Sequence, residues 1–226
     1  MDNLKGKWIY IVLLVPVISS ILALLHFGFF FKSGSAGTGI LILLFLYFKK
    51  RPRKHDQLMI MAAFLFSIVG DWFLSNKQDD AGMFVAGIVF FFFAHLGYLW
   101  FAVMNGKINL SITLLFFGIY IVFFGKILFP CLDDPVLMWP VLIYLIISCL
   151  SLGAAVGIRA NPPAKLSYVF GIFLILFSDT IIAYKEFLDY RNLNWLILPT
   201  YYLAHISIVF SLINRYLFEA EGTTTH

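Results

Sequence analysis

The stretch FLFSIVGDWFLSNK, residues 64–77, places an aspartate, Asp71, in a run that is otherwise strongly apolar. A helix needs about 20 predominantly apolar residues to cross a hydrocarbon core of about 30 Å, and residues 57–75 supply such a run. A charged side chain near the bilayer centre costs about 2.5–3.5 kcal/mol on insertion scales. The stretch therefore predicts a membrane helix whose aspartate needs a water-filled cavity, a partner or a bound proton.

The rest of the chain has the same apolar character. Of its 226 residues, 62% are hydrophobic and 12% are charged, and the mean hydropathy is +0.93. This composition is typical of a polytopic membrane protein. We expect a single all-α integral membrane domain, residues 1–226, with a short polar tail at 219–226. Eight transmembrane helices are predicted, at residues 8–31, 33–48, 57–75, 82–104, 108–128, 136–158, 166–187 and 195–218.

Basic residues favour eight crossings over seven, although the solidly apolar part of the second helix is short. With eight crossings both termini share one side, where most basic residues fall: Lys5, Lys7, Lys49, Lys50, Arg51, Arg53, Lys54, Lys107, Arg159, Lys165 and Arg215. The positive-inside rule then predicts cytoplasmic termini, in the inner membrane if the organism is bacterial. We expect the basic loop to contact anionic lipid, with no nucleic-acid partner, and the first helix to be retained rather than cleaved as a signal peptide.

The two cysteines are expected at different depths. Cys131 falls in a predicted outer loop, and Cys149 lies roughly 20 Å deeper at about 1.5 Å of rise per residue. A disulfide between them is therefore not expected.

An internal repeat relates the two halves of the chain. SIVGDWFLSNK, residues 67–77, aligns with ILFSDTIIAYK, residues 175–185, and pairs Asp71 with Asp179. AHLGYLW, residues 94–100, aligns with AHISIVF, residues 204–210, and pairs His95 with His205. The halves, about 1–107 and 108–218, then form a parallel repeat of four helices each, and such repeats place special residues at their junction.

Matching depths predict a belt of ionisable and phenolic side chains. Both aspartates lie about fourteen residues into their helices, hence at one depth in the outer half. The histidines are expected nearer the middle, with Tyr98 and Tyr202 on the same helix faces. The belt predicted to line one interior cavity consists of Asp71, Asp179, His95, His205, Tyr98 and Tyr202. Helix packing remains an alternative reading of the histidines, as snorkelling does for Lys77 and Lys185.

Two aspartates and two histidines are also metal-ligand types. Spacing along the helices, however, puts the histidines about 5–10 Å deeper than the aspartates. Direct coordination by all four is not expected, and we predict no metal site.

Four segments resemble the signature sequences of the YhhN-like lysoplasmalogenase family: FSIVGDWFL (66–74), FVAGIVFFFFAHLGYLWFA (84–102), FGIFLILFSDTIIAYKEF (170–187) and PTYYLAHISIVFSL (199–212). The resemblance covers most of the chain, and its most specific elements are the dipeptides Gly70-Asp71 and Ser178-Asp179. Family members tend to carry Lys-Pro at the start of the second helix. This chain departs from that pattern, since Lys32 is followed by Ser33.

The resemblance implies hydrolysis of the vinyl-ether bond of lysoplasmalogens, a lysophospholipid substrate in the membrane, no cofactor, and Asp71 and Asp179 in the active site. Vinyl ethers hydrolyse by protonation at the β-carbon, which calls for a proton donor and a carboxylate that stabilises the cation or activates water. Glycosidases use two carboxylates for a related transition state. Which aspartate takes which role stays open, and the supporting residues expected are His95, Tyr98, Ser178, Tyr202, His205 and Lys32.

A proton-coupled transporter of a small or lipid-like substrate is the alternative, because proton relays also use buried Asp and His in parallel repeats. Transporter sites favour broken helices. We expect the third, fourth, seventh and eighth helices to lack an internal proline near the ionisable belt, which favours the enzyme.

Overall fold

The computed structural model describes residues 7–48, 54–78, 80–132 and 135–222. In these ranges the chain forms helices and no strand, with one isolated bridge between Gly106 and Ile158. The helices are α1 (Leu14–Leu24), α2 (Phe29–Lys32), α3 (Gly34–Phe48), α4 (Lys54–Asn76), α5 (Ala81–Met104), α6 (Leu110–Phe123), α7 (Pro135–Val156), α8 (Pro162–Leu188) and α9 (Asn194–Gly222). A 3₁₀ segment, Lys7–Leu13, precedes α1, while a π turn, Phe124–Leu128, and a 3₁₀ turn, Phe129–Cys131, extend α6. Lys5 and the basic residues at 49–53 lie outside the described ranges.

The protein is a multi-pass membrane protein by the length and composition of its helices. Six described segments are long and apolar enough to cross a bilayer: His55–Asn76, Ala81–Met104, Leu110–Cys131, Leu137–Val156, Pro162–Leu188 and Asn194–Ala220. Two shorter apolar helices, Ile9–Leu24 and Gly34–Phe48, precede them. Apolar helices thus lie near all the predicted positions, and the crossing of the first two stays a prediction.

The first predicted helix, residues 8–31, is wrong as one continuous element. After Leu24 the backbone enters the left-handed region at His26 (φ 64°) and again at Gly28 (φ 99°). A residue without a side chain adopts this conformation readily, so the helix ends and the short α2 starts after Gly28. This break makes α2 a separate element that carries Lys32 at its end.

The closest helix pairs are α4 with α5 and α8 with α9. Glycines permit this approach: a Cβ on Gly97 would lie 2.7 Å from the carbonyl oxygen of Met59, and one on Gly171 would lie 2.7 Å from Ile208. Small residues at helix contacts are the usual device for close packing in membranes. Further contacts join α5 with α7, α3 with α9, α3 with α4, α7 with α8, α1 with α3 and α6 with α7.

Pro199 corrects the expectation about internal prolines, because it lies inside α9, two residues before Tyr201. A proline removes one helical hydrogen bond and crowds the carbonyl four residues earlier. Here that carbonyl belongs to Trp195, near the helix start, and α9 continues unbroken to Gly222. The helices α4, α5 and α8 are continuous as well.

A buried polar cluster, Asp56, Asn105 and Arg215, ties α4, the end of α5 and α9 together. Arg215 Nη2 lies 2.8 Å from Asp56 Oδ2, and Asn105 Nδ2 donates to the same oxygen at 3.0 Å. The guanidinium also lies over the ring of Phe101, 5.5 Å from its centroid. Both cysteines are free, Cys131 exposed and Cys149 buried, which agrees with the prediction of no disulfide.

Candidate active site

A cavity of about 240 Å³ lies at the end of the bundle where α4 and α8 finish. We call it the polar cavity. Both predicted aspartates line it, Asp71 from α4 and Asp179 from α8. Its other lining residues are Lys32, Leu74, Lys77, Phe91, Ser178, Ile182, Lys185, Glu186, Asn194, Ile197, Leu198 and Tyr201.

Asp71 is buried, with 5% of its surface exposed. The preceding Gly70 leaves room for Phe91, whose ring would lie 3.0 Å from a Cβ at that position. Among the described residues no hydrogen bond of good geometry reaches Asp71 Oδ2 or the hydroxyl of Tyr201, although these two side chains interact with each other beside the cavity. Buried polar atoms normally find a partner, so the two groups can bind each other, a ligand or water.

Asp179 has partners that Asp71 lacks. The Tyr144 hydroxyl donates to Asp179 Oδ2 at 2.6 Å, and His95 Nε2 lies 3.2 Å from the same oxygen. An ionised carboxylate only accepts hydrogen bonds, so Nε2 carries the hydrogen in this contact when Asp179 is charged. The Ser148 hydroxyl also lies near His95 Nε2, at 3.4 Å. Helices α5 and α7 therefore hold the carboxylate that α8 presents.

Lysines surround the mouth of the polar cavity. Lys32 Nζ donates to Ser75 Oγ at 2.5 Å. Lys77 and Lys185 share the carboxylate of Glu186, at 2.7 Å and 3.0 Å. The cavity is thus lined by three lysines and by three carboxyl groups, those of Glu186 and the two aspartates.

A family model described as the YhhN family matches residues 31–212. The chain belongs to the YhhN family. No curated protein and no solved structure gives a match. The matched range contains every residue that lines the polar cavity, from Lys32 to Tyr201, and it confirms the family resemblance read from the four sequence segments.

His95 lies closer to the aspartates of this YhhN chain than axial spacing predicts. The expectation that the histidines lie about 5–10 Å deeper is wrong for His95, which contacts Asp179 at 3.2 Å. Counting residues along each helix measures the backbone and ignores tilt and the reach of side chains between helices. The Ser151 hydroxyl, which donates to the carbonyl of His95 at 3.2 Å, links α7 to α5 beside this contact.

Of the predicted belt only the two aspartates line the polar cavity of the YhhN chain, whereas His95, Tyr98, Tyr202 and His205 do not. His205 Nδ1 lies 3.2 Å from Ser35 Oγ, and the Tyr98 hydroxyl lies 3.4 Å from Ser67 Oγ. Tyr202 is buried, and its hydroxyl has no partner among the described residues. The neighbouring Tyr201 lines the cavity instead, because one step along a helix turns a side chain by about 100°.

Ser178, one of the predicted supporting residues, lines the polar cavity. Its hydroxyl donates to the carbonyl of Ile197 at 3.2 Å, which joins α8 to α9. Beyond the cavity, Arg191 is 72% exposed and pairs with Asp189.

Tyr144 is the site residue of this YhhN protein that sequence reasoning missed. The offset of 108 residues that pairs the aspartates would pair Tyr144 with Ala36, which cannot donate a hydrogen bond. Internal symmetry therefore gave no signal for it. Within the described ranges, no group of three or more His, Cys, Asp or Glu side chains is arranged to hold a metal ion.

Proposed function

We propose that this YhhN-family protein is a lysoplasmalogenase. It hydrolyses the vinyl-ether bond of an alkenyl-glycerophosphoethanolamine or alkenyl-glycerophosphocholine, giving a fatty aldehyde and the glycerophosphodiester, without a cofactor. The observation that carries the proposal is the pair of carboxylates, Asp71 and Asp179, on one cavity that three lysines also line. Family membership supports the same chemistry at the level of the family.

Hydrogen bonding assigns different roles to the two aspartates. Asp179 accepts from Tyr144 and contacts His95, so it is equipped to act as the charged carboxylate. Asp71 Oδ2 is buried and no hydrogen bond of good geometry reaches it from the described residues, so it can carry a proton and give it up. We assign Asp71 as the general acid and Asp179 as the base and cation stabiliser.

The reaction balances with these two groups alone. Asp71 gives its proton to the β-carbon of the vinyl ether, and the oxocarbenium ion that forms is stabilised by the Asp179 carboxylate. Water adds to the cationic carbon and loses a proton to Asp179. The hemiacetal then collapses: Asp179 protonates the departing glycerol oxygen, while the hemiacetal hydroxyl returns a proton to Asp71. Both carboxyl groups end in their starting states, as in glycosidases that use paired carboxylates.

The lysines on the cavity support a phospholipid substrate. Lys32, Lys77 and Lys185 lie on the same cavity as the aspartates, and Glu186 offsets only part of their charge. A phosphodiester held at the rim by lysine point charges would leave the ether oxygen, which three glycerol carbons separate from the phosphate ester oxygen, free to reach the aspartates. The substrate is thus placed with its headgroup at this end of the bundle.

The proposal includes eight crossings, a parallel repeat of four helices each, and cytoplasmic termini. Helix packing supports the repeat. In a repeat, α1, α3, α4 and α5 correspond to α6, α7, α8 and α9, so each helix contact should have a counterpart. The contacts α4–α5 and α8–α9 form such a pair, as do α5–α7 and α9–α3, α3–α4 and α7–α8, and α1–α3 and α6–α7. The polar cavity then faces the outer side, and the Asp56 cluster faces the cytoplasm. The short α1 and α3 cross fully only with the residues that flank them or in a locally thinned bilayer.

The deciding experiment uses the purified full-length protein in detergent with a lysoplasmalogen. We expect release of one fatty aldehyde per glycerophosphodiester, measured by aldehyde-coupled NADH oxidation and mass spectrometry, and resistant to a chelator. A saturated alkyl-ether lysolipid is the matched control and should not react, because without the double bond its β-carbon cannot accept a proton. Absence of turnover on every lyso-vinyl-ether lipid contradicts the proposal. Flux of an unchanged substrate in proteoliposomes would favour the transporter.

Replacing Tyr144 by phenylalanine should lower kcat by roughly 10- to 100-fold with little change in KM. A hydrogen bond to a charged group is worth about 1.5–3 kcal/mol, and each 1.36 kcal/mol is about tenfold in rate. Tyr168→Phe is the matched control, because the Tyr168 hydroxyl donates to the backbone carbonyl of Tyr98 and does not line the polar cavity. Equal losses in the two variants, measured by steady-state kinetics, would mean that Tyr144 acts only in packing.

A further inference from the structure

Two apolar cavities also reach Asp179, and the larger of them adjoins the polar cavity, with which it shares Leu74, Phe91 and Ile182. Their volumes are about 70 Å³ and 50 Å³. Both are lined by Val141, Tyr144, Asp179 and Ala183, so only these side chains separate them. One extends toward Phe187 and the other toward Leu176. Together they follow α8 over eleven residues, which is about 16 Å at the rise of a helix.

Hydroxyl groups that line these apolar cavities already have hydrogen-bond partners within the protein. The Tyr120 and Thr180 hydroxyls bond to each other at 2.6 Å, and the Ser148 hydroxyl donates to the carbonyl of Tyr144 at 2.8 Å. The polar cavity differs, because Asp71 Oδ2, Tyr201 Oη and Asn194 Oδ1 on it are buried and make no hydrogen bond of good geometry within the described residues. Asp179 therefore lies between the polar cavity, which can bind polar groups, and the apolar cavities, which can bind hydrocarbon.

The seam between α7 and α8 is a less extensive helix contact than the one between α8 and α9. The π turn, Phe124–Leu128, lies beside the seam and supplies Leu128 to one of the cavities. Such π-helical turns occur often at functional sites. Helices that share a less extensive contact can separate at a lower cost in dispersion contacts than closely packed ones.

We propose that the seam between α7 and α8 is the binding site of the substrate's hydrocarbon chain. We call it the chain slot and define it by Val141, Leu145, Leu176 and Ala183. Its occupant is the single unbranched alkenyl chain attached to the bond that is cleaved. The geometry requires this direction, because an amphiphile that places its headgroup in the polar cavity and its vinyl ether at Asp179 must continue into the slot. The slot is narrow, since its two cavities, both lined by Val141 and Ala183, measure only about 70 Å³ and 50 Å³, and such a space suits one straight chain. The assignment rests on the proposed function.

The test compares two vinyl-ether lysolipids with the same headgroup, one with a hexadecenyl and one with a butenyl chain, in the same detergent. In the wild type, kcat/KM should be at least ~100-fold higher for the long chain, because each buried methylene strengthens binding. Ala183→Phe fills the slot at the junction of its two cavities. It should lower kcat/KM at least ~10-fold more for the hexadecenyl than for the butenyl substrate.

The controls separate the slot from the function. Val89→Phe adds the same ring on an outward-facing part of α5, where Val89 is 40% exposed, and should leave the chain-length ratio unchanged. Ala183→Leu is the milder variant if Ala183→Phe does not fold, and it should shift the ratio in the same direction. Equal losses on both substrates, or no loss on either, would overturn the slot alone. A wild type inactive on both chains would overturn the proposed function itself.

Discussion

Asp71→Asn and Asp179→Asn should each lower kcat for a lysoplasmalogen by about a thousandfold, with expression and monodispersity unchanged. General acid or base catalysis contributes typically about 10²–10⁴-fold, and asparagine keeps the shape of the side chain while it can neither give nor accept the proton. Aldehyde release under saturating substrate measures the loss. Both side chains line the same cavity, so the protein should stay folded in either variant.

A third Asp→Asn change provides the control. Asp189 is 79% exposed at the end of α8 and pairs with Arg191 outside the cavity. Asp189→Asn should leave kcat within about twofold, since exposed ion pairs contribute little to stability. Wild-type turnover in either cavity variant would remove that aspartate from the mechanism.

The two cavity variants should also respond differently to added acids and bases. In Asp71→Asn, hydronium replaces the missing donor, so the residual rate should rise about tenfold for each unit by which the pH falls. In Asp179→Asn, formate should restore part of the activity, because it supplies a small carboxylate. The reverse pattern would exchange the assigned roles of acid and base, and identical responses would exclude the division of roles.

Arg215→Met should destabilise the protein by about 3 kcal/mol or more, because removing one partner of a buried ion pair leaves the other charge uncompensated. Arg215 and Asp56 are 12% and 5% exposed, and their side chains meet at 2.8 Å. For a chain of this size the loss corresponds to a fall in Tm of roughly 10 °C. A thiol-reactive dye measures it through Cys149, which is buried, in a Cys131→Ser background.

The double variant Arg215→Met, Asp56→Leu separates the unpaired charge from lost packing. It should recover at least half of the lost Tm, since exchanging both members of a buried pair for apolar residues is often neutral or stabilising. Lys165→Met, on a partly exposed lysine near the start of α8, should change Tm by no more than about 2 °C. A Tm equal to wild type in Arg215→Met would show that the Asp56 cluster does not stabilise the fold.

Sequence reasoning reached the carboxylate pair because two independent patterns agree on it. Hydropathy marked Asp71 as exceptional in its helix, and the offset of 108 residues supplied Asp179 as its counterpart. Both patterns lie along the chain and need no knowledge of how helices pack. The membrane class, the helix positions and the side-chain types for acid–base chemistry follow from the same information.

The partners of those carboxylates could not be derived in the same way. His95 and Tyr144 reach Asp179 from α5 and α7, and whether a side chain reaches a neighbour depends on helix tilt, rotation and separation. Hydropathy gives little information on how a helix is rotated about its axis here, because the lipid and the protein interior are both apolar. Helix rotation also decides that Tyr201, and not Tyr202, lines the polar cavity.

The sequence by itself determined a multi-pass helical membrane protein and predicted two carboxylates in corresponding positions 108 residues apart, because each of these is a pattern in one dimension. Only the tertiary structure decided that the carboxylates differ. The helices beside Asp179 bring Tyr144 and His95 to one of its oxygens, whereas no hydrogen bond of good geometry reaches Asp71 Oδ2 from the described residues. An acid and a base can arise from two equivalent aspartates only through such contacts, and helix packing alone sets them.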